Sequence, residues 1–221
     1  MYVIDMKPLI LIDRVSFVYP PSKGHPAKQV LNDFSLEINR SEVVLISGKS
    51  GAGKTTLLRI LAWMESPTAG SMFLEGEAYQ EYSPPALRKS ALLVPQIPVM
   101  FEGDVRRNLL MGVCEGPSDK ELCWWLERLG LAPELLGKSA AALSVGQKQR
   151  VALIRGLLVK PKLALLDEPA SGLDLESAEL MRGLIAELVE NDRMAVVLTS
   201  HQKLFHESLV HREVTLTENS P

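Results

Sequence analysis

A chain of 221 residues, 46% hydrophobic and 23% charged, carries enough apolar side chains to close a core without disulfides or a structural metal. Its formal net charge of -3 lacks the basic excess that grips a phosphate backbone, which sets nucleic acid aside as a main partner. No apolar run approaches the roughly 20 residues of a membrane-crossing helix, Cys114 and Cys123 form no CxxC pair, and no secretory leader is seen, so a cytosolic chain without disulfides is expected.

Leu9 to Tyr19 and Val30 to Ile38 alternate apolar and polar residues with a period near two, the pattern of half-buried antiparallel strands in a small β layer. The stretch between them, Pro20 to Pro26, reads as a surface loop. Val43 to Ile46, Ala91 to Val94, Leu163 to Leu166 and Ala195 to Leu198 are instead short continuous apolar runs, as in parallel strands covered on both faces. Helical periodicity over Thr55 to Trp63, Gln147 to Val159 and Ser177 to Val189 alternates with these runs, which means a wound α/β sheet. Ile97 to Ala142 breaks the alternation, with helix-like stretches at Val105 to Leu110 and Lys120 to Leu129, and is expected to be an inserted helical subdomain. The single domain 1–221 then divides into 1–96 (β layer and first half of the core), 97–142 (helical) and 143–221 (second half of the core).

Gly48, Lys49, Ser50, Gly51, Ala52, Gly53, Lys54 and Thr55 match GxxxxGK[ST], with Thr56 next, after an apolar strand and at the start of a helix, the context a phosphate-binding P-loop requires. The glycines let backbone N–H groups turn inward toward the phosphate oxygens of ATP, and the helix N-terminus adds its dipole. Lys54 is placed to bridge the β- and γ-phosphates, and Thr55 to offer a hydroxyl to Mg²⁺, the expected cofactor beside ATP. Leu163 to Glu168 ends a buried strand in two adjacent carboxylates, costly there unless a cation or a reacting water uses them. Asp167 is expected at the metal and Glu168 at the water that attacks the γ-phosphate, while Pro169 argues against ordinary helix-capping acids at this point.

Leu143-Ser144-Val145-Gly146-Gln147, just before that strand, resembles the signature motif of the ATP-binding cassette family. The resemblance covers Leu9 to about Glu213 and implies a P-loop NTPase core of RecA-like type, with the N-terminal antiparallel β layer and the inserted helices. It further implies that Ser144, Val145, Gly146 and Gln147, together with Asp174 of the D-loop Ser171-Gly172-Leu173-Asp174, meet the ATP of a second subunit, so that two ATP molecules join two subunits. Valine stands at Val145 where glycine is usual. By the same resemblance Tyr19 stacks on adenine, Gln96 is the Q-loop glutamine near Mg²⁺, and His201 contacts the γ-phosphate, whereas His25, His206 and His211 match no motif and are expected at the surface. No regulatory C-terminal module is expected.

The implied function is the ATPase subunit of a transporter, working with a second copy or a homologous subunit and with a separate membrane permease, peripheral on the cytoplasmic face of the membrane. Phe101, Val105, Asn108 and Leu109 are candidates for a groove receiving a permease helix. Of the adjacent Trp124 and Trp125, one is expected in the core and the other exposed. The stretch Trp125 to Leu131 is similar to ATP-binding subunits of bacterial iron or metal exporters. A cassette ATPase acting on nucleic acid or the ribosome is the alternative, disfavoured by a single P-loop and the absence of sustained heptads; a small-molecule kinase fails on the signature motif.

Overall fold

In the computed structural model, which describes residues 7–22, 26–200 and 209–217, β1 (Ile10–Tyr19) sits between β2 (Lys28–Ile38) and β4 (Ala69–Leu74) and pairs antiparallel with both. A two-residue strand, β5 (Glu77–Ala78), completes the order β2-β1-β4-β5. Bulges break the β1–β2 register at three points and bend the pair.

The second sheet is parallel throughout, in the order β6-β7-β8-β3-β9, from β3 (Val43–Gly48), β6 (Ala91–Val94), β7 (Leu163–Asp167), β8 (Ala195–Thr199) and β9 (Arg212–Leu216). Its two-residue periodicity divides the interior. Val43, Leu45, Ala164, Leu166, Val196 and Leu198 enter one core, and Val44, Ile46, Leu163, Leu165, Ala195 and Val197 enter the other. Both faces are therefore covered, which is why these strands read as unbroken apolar runs.

The second of these cores lies against the antiparallel sheet and α1 (Lys54–Leu61), whose Leu57, Leu58, Ile60 and Leu61 are fully buried. Each such side chain stabilises the fold by about 1.5–3 kcal/mol relative to an exposed one. On the opposite face pack α5 (Val145–Leu158) and α6 (Leu175–Asn191), with Val151, Ile154, Met181 and Ile185 inside. The 97–142 region joins the same core through α3 (Val105–Leu109) and α4 (Asp119–Arg128), which contribute Val105, Leu109, Leu122 and Leu126. A further helix, α2 (Pro84–Ser90), leads into β6.

Four expected central strands and three expected helices stand within two or three residues of their anticipated ends. β4, β5, α2 and β9 carried no anticipated pattern; in β9 only Leu216 is buried. His211, expected as a free surface residue, is exposed yet bound to β3: its N–H donates to the Val43 carbonyl at 2.9 Å, and Val43 N–H donates to its Nδ1 at 3.1 Å. His25 and His206 lie outside the described residues.

Candidate active site

The segment Gly48 to Gly53 joins β3 to α1 and curls because its glycines permit backbone that other residues resist. Gly48 has φ 141°, and a Cβ there would stand 2.4 Å from the carbonyl oxygen of Leu216 on β9. Gly53, the N-cap of α1, has φ 99°, and a Cβ would collide with Val30 at 2.3 Å. Lys54 is the first residue of α1; its ammonium folds back over the loop and donates to the carbonyls of Gly48 at 2.7 Å and Lys49 at 3.3 Å. That places a positive charge over the loop at the N-terminus of α1, a combination of cation, glycine-rich backbone and helix dipole that suits an anion such as phosphate.

The C-terminal end of β7 faces that loop. Asp167 is nearly buried at 7% exposure; Oδ2 accepts from Thr55 Oγ1 at 2.9 Å and Oδ1 accepts from Thr199 Oγ1 at 2.8 Å. Thr199, the last residue of β8 and fully buried, also accepts the Glu168 N–H on its hydroxyl at 2.9 Å. Glu168 itself has φ 48°, a left-handed conformation costing a non-glycine residue on the order of 1 kcal/mol or more and held only by its surroundings. Those surroundings include the Thr199 carbonyl accepting from the Glu168 N–H at 3.2 Å, and the Ser171 N–H and Gln149 Nε2 donating to the Glu168 carbonyl at 3.0 and 3.1 Å. A cleft of 620 Å³ opens over these groups, with Tyr19, Lys28 and Gln96 on its walls.

For a hard cation the donor set is suitable: a hydroxyl and a carboxylate, both oxygen. Two adjacent vertices of an octahedron with Mg²⁺–oxygen distances of 2.0–2.1 Å lie about 2.9 Å apart. Thr55 Oγ1 and Asp167 Oδ2 stand at 2.9 Å.

A cradle for phosphates, an oxygen pair for a cation and a strained glutamate between them occur together in proteins that split nucleoside triphosphates, and comparison with known proteins gives the family. Residues 31–171 match the family model described as ABC transporter. The chain belongs to the ABC transporter family. It is 33% identical over 202 residues to the "Probable iron export ATP-binding protein FetA" of Escherichia coli (strain K12), covering 90% of this chain and 87% of that protein. It is 37% identical over 211 residues to the lipoprotein-releasing system ATP-binding protein LolD of Shewanella denitrificans, covering 89% of each. Among solved structures, the ATP-binding cassette MJ0796, a dimer bound to ADP and Pi in a post-hydrolysis state, matches with a TM-score of 0.81 and 25% identity, over 95% of this chain and 94% of that one. The chain is thus an ATP-binding cassette with ATPase activity.

In this cassette the remaining expected residues fall into three groups. Tyr19 and Gln96 line the cleft: Tyr19 Oη lies 3.2 Å from Thr56 Oγ1, its ring meets Phe17 edge-on at 4.8 Å, and Gln96 is exposed just after β6. His201 lies outside the described residues. The signature residues do not line the cleft of their own P-loop. Ser144 is instead the exposed N-cap of α5, in a capping box with Gln147: Gln147 N–H donates to Ser144 Oγ at 3.3 Å and Ser144 N–H to Gln147 Oε1 at 3.0 Å. The Ser144 hydroxyl thereby accepts and keeps its own hydrogen to donate outward. Val145 opens α5, a conformation a valine adopts without glycine's freedom, and leaves its side chain 68% exposed. Gly146 is held close: a Cβ there would stand 3.2 Å from Leu173 of the D-loop.

The exposed Asp174 carboxylate caps α6, accepting from Ser177 N–H at 2.8 Å and Ser177 Oγ at 3.2 Å, and these bonds hold its pKa below the ordinary carboxylate range. The expected groove is corrected at three residues. Val105, Asn108 and Leu109 are fully buried and cannot line a partner groove. Asn108 is a latch: it accepts from Phe101 N–H at 2.8 Å and donates to the carbonyls of Phe101 at 3.0 Å and Asp104 at 2.9 Å. Phe101, 44% exposed, does line a largely apolar groove of 640 Å³, with Leu92, Met111 and Val159. Arg155 stacks under its ring at 5.0 Å, and burial lowers the guanidinium pKa. Trp124 is 46% exposed while Trp125 packs partly against the core, and neither reaches that groove.

Sequence reasoning did not single out Thr199 as a functional residue, nor Gln149 or Lys28. Thr199 ends a strand of otherwise apolar residues beside the P-loop strand, a position that signals a polar contact at a site. Gln149 is a buried glutamine on a helix named for its first turn. Lys28, whose Nζ lies 3.5 Å from the Gly51 carbonyl, starts a strand whose alternation carries no charge signal.

Proposed function

We propose that two copies of this cassette, or one copy and a homologous subunit, close around two Mg-ATP and use their hydrolysis to drive a separate membrane permease. The observation that carries this reading is the division of the chemistry within one chain: the P-loop, Asp167 and Glu168 share a cleft, whereas the Ser144 hydroxyl stands exposed at the N-terminus of α5 and away from it. A donor set at a helix N-terminus suits a γ-phosphate held by another subunit. The post-hydrolysis dimer of the similar MJ0796 cassette supports the same arrangement.

Within each site Lys54 and the P-loop N–H groups hold the phosphates, and Thr55 and Asp167 hold the cation. A Mg²⁺ held by these two residues would supply positive charge to offset the negative charge that develops as the bond to the leaving ADP breaks. The Glu168 carboxylate orients a water for in-line attack on the γ-phosphorus and accepts its proton. The bond from water oxygen to phosphorus forms as the bridging P–O bond breaks, which gives ADP and phosphate. Gln96, at the cleft wall and directly before the Ile97 to Phe101 segment, links the cation end of the site to the Phe101 groove, where an apolar helix of the permease docks. In this reading the chain sits at the membrane through that partner, on its cytoplasmic side; no helix among the described residues is long and apolar enough to cross a membrane. The division at 97–142 assigns docking to the helical part and phosphate chemistry to the two flanking parts. For cargo, the identity to FetA supports a metal such as iron.

Glu168→Gln tests the reading because it keeps the side chain's shape and removes its basicity. Phosphate release should fall by about a hundredfold or more, general-base losses being of that order. Size-exclusion chromatography with Mg-ATP should then show the variant at twice the mass of the monomer, with ADP giving no shift. Normal hydrolysis would remove Glu168 from the chemistry; an inactive variant that stays monomeric at saturating ATP would count against Ser144 acting on a second subunit. Metal content of cells with and without the protein tests the cargo.

A further inference from the structure

We infer that Gln149 is a positioning residue for hydrolysis: its amide holds the backbone of Glu168, and through it the second turn of α5 sets the aim of the catalytic carboxylate. The inference rests on Glu168 being the residue that handles the attacking water. Gln149 is 3% exposed, an expensive place for a primary amide unless its hydrogen bonds are used. Nε2 donates to the Glu168 carbonyl at 3.1 Å, across 19 residues of sequence. Among the described residues, that carbonyl belongs to the one residue of the cleft wall, outside the P-loop glycines, whose backbone is left-handed, φ 48°. A residue in that conformation keeps it only while its neighbours over-determine it. On the N–H side the clamp is Thr199, through both its hydroxyl and its carbonyl. On the carbonyl side the Ser171 N–H supplies a local turn, and Gln149 alone of the two donors comes from a different layer of the fold.

The helix matters as much as the bond. Gln149 stands five residues after Ser144 on α5, about 7.5 Å along the axis. One rigid segment thus carries both the hydroxyl offered to a second subunit's nucleotide and the amide that fixes this subunit's own glutamate. A displacement of the helix on engaging the partner is passed to Glu168 without crossing a flexible loop.

Gln149→Met keeps length and volume and removes the donor, and the Ser171 bond leaves the carbonyl partnered, so the fold should survive. The expected result is a fall in kcat of about tenfold or more, with ATP affinity within about twofold of the parent; tenfold corresponds to about 1.4 kcal/mol. In the Glu168→Gln background the same change should leave the ATP-dependent dimer intact. Gln149→Glu, equally well fitted in shape, donates only when protonated, so its rate relative to the Met variant should rise as pH is lowered. A Met variant with the parent's kcat would overturn the proposal while leaving Glu168 in place if Glu168→Gln is inactive. Loss of ATP binding together with kcat, or a Glu-to-Met ratio indifferent to pH, would reduce Gln149 to a packing residue and overturn the proposal as well.

Discussion

Thr199→Val exchanges a hydroxyl for a methyl of nearly the same shape in a position with 0% exposure, so its effect isolates two hydrogen bonds. The first, from Oγ1 to the Asp167 carboxylate at 2.8 Å, involves a charged acceptor and contributes about 1.5–3 kcal/mol. The second, from the Glu168 N–H at 2.9 Å, is partly replaced, because the same N–H reaches the Thr199 carbonyl at 3.2 Å. Burying one extra methyl returns about 0.8 kcal/mol. The net loss is about 1–2 kcal/mol of stability, read as a lower urea midpoint with an unchanged slope. Activity should fall further, because the Asp167 carboxylate and the Glu168 backbone N–H lose their common anchor while the Thr55 bond to Asp167 and the P-loop stay in place. A drop in phosphate release of about tenfold or more, with nucleotide affinity retained, is expected. Thr199→Ser keeps the hydroxyl and should recover most of the rate. A valine variant with the parent's rate and midpoint would show that Thr199 does not organise the site.

Lys54→Ala removes the ammonium that now spans the Gly48 and Lys49 carbonyls, and ATP affinity and hydrolysis should fall together toward background in a filter-binding and phosphate-release pair. Val145→Gly should leave hydrolysis within a few-fold of the parent, since the valine already occupies an ordinary helical position, whereas Ser144→Arg should abolish it; collapse of the glycine variant would assign the exposed valine side chain a part in closure. The Asp174 pKa is depressed in the fold by the Ser177 bonds, so the cap's contribution is present above the unfolded carboxylate range and is lost as pH falls through the folded value. The acid limb of a thermal-stability profile should flatten in Asp174→Ala, and an unchanged limb would contradict the capping geometry.

The parallel sheet was legible because burial on both faces forces an apolar run, and β3, β6, β7 and β8 all have it. β9 was not, because an edge strand covered on one side alternates, and Arg212-Glu213-Val214-Thr215 looks like a polar tail until its hydrogen bonds to β3 are seen. The P-loop and the Asp167-Glu168 pair could be read since their chemistry demands particular residue types at fixed spacing. What spacing cannot show is which residues hold others in place. Asn108, a groove candidate by sequence, is buried in the structure and ties down the Phe101 backbone. What the motif pattern does not carry is why valine fits at Val145: the position is helical and its side chain is exposed.

The width of the site follows from strand order. β8 lies between β3, which delivers the P-loop, and β7, which delivers Asp167 and Glu168. Two strand spacings put β3 and β7 about 9.6 Å apart. Were β7 adjacent to β3, Asp167 and the P-loop backbone would be within direct contact and leave no room for a phosphate between them. With β8 interposed, the gap is bridged at one side only, where Thr55 on the first turn of α1 meets Asp167 at 2.9 Å, and the rest stays open as the cleft at the C-terminal ends of the strands. The intervening strand is used as well: it ends in Thr199, whose hydroxyl fills the floor and ties the Asp167 carboxylate to the Glu168 backbone N–H. An anion of phosphate size therefore meets donors from β3 and α1 on one wall and oxygens from β7 on the other, and β8 keeps those walls at a separation that neither side chain sets alone.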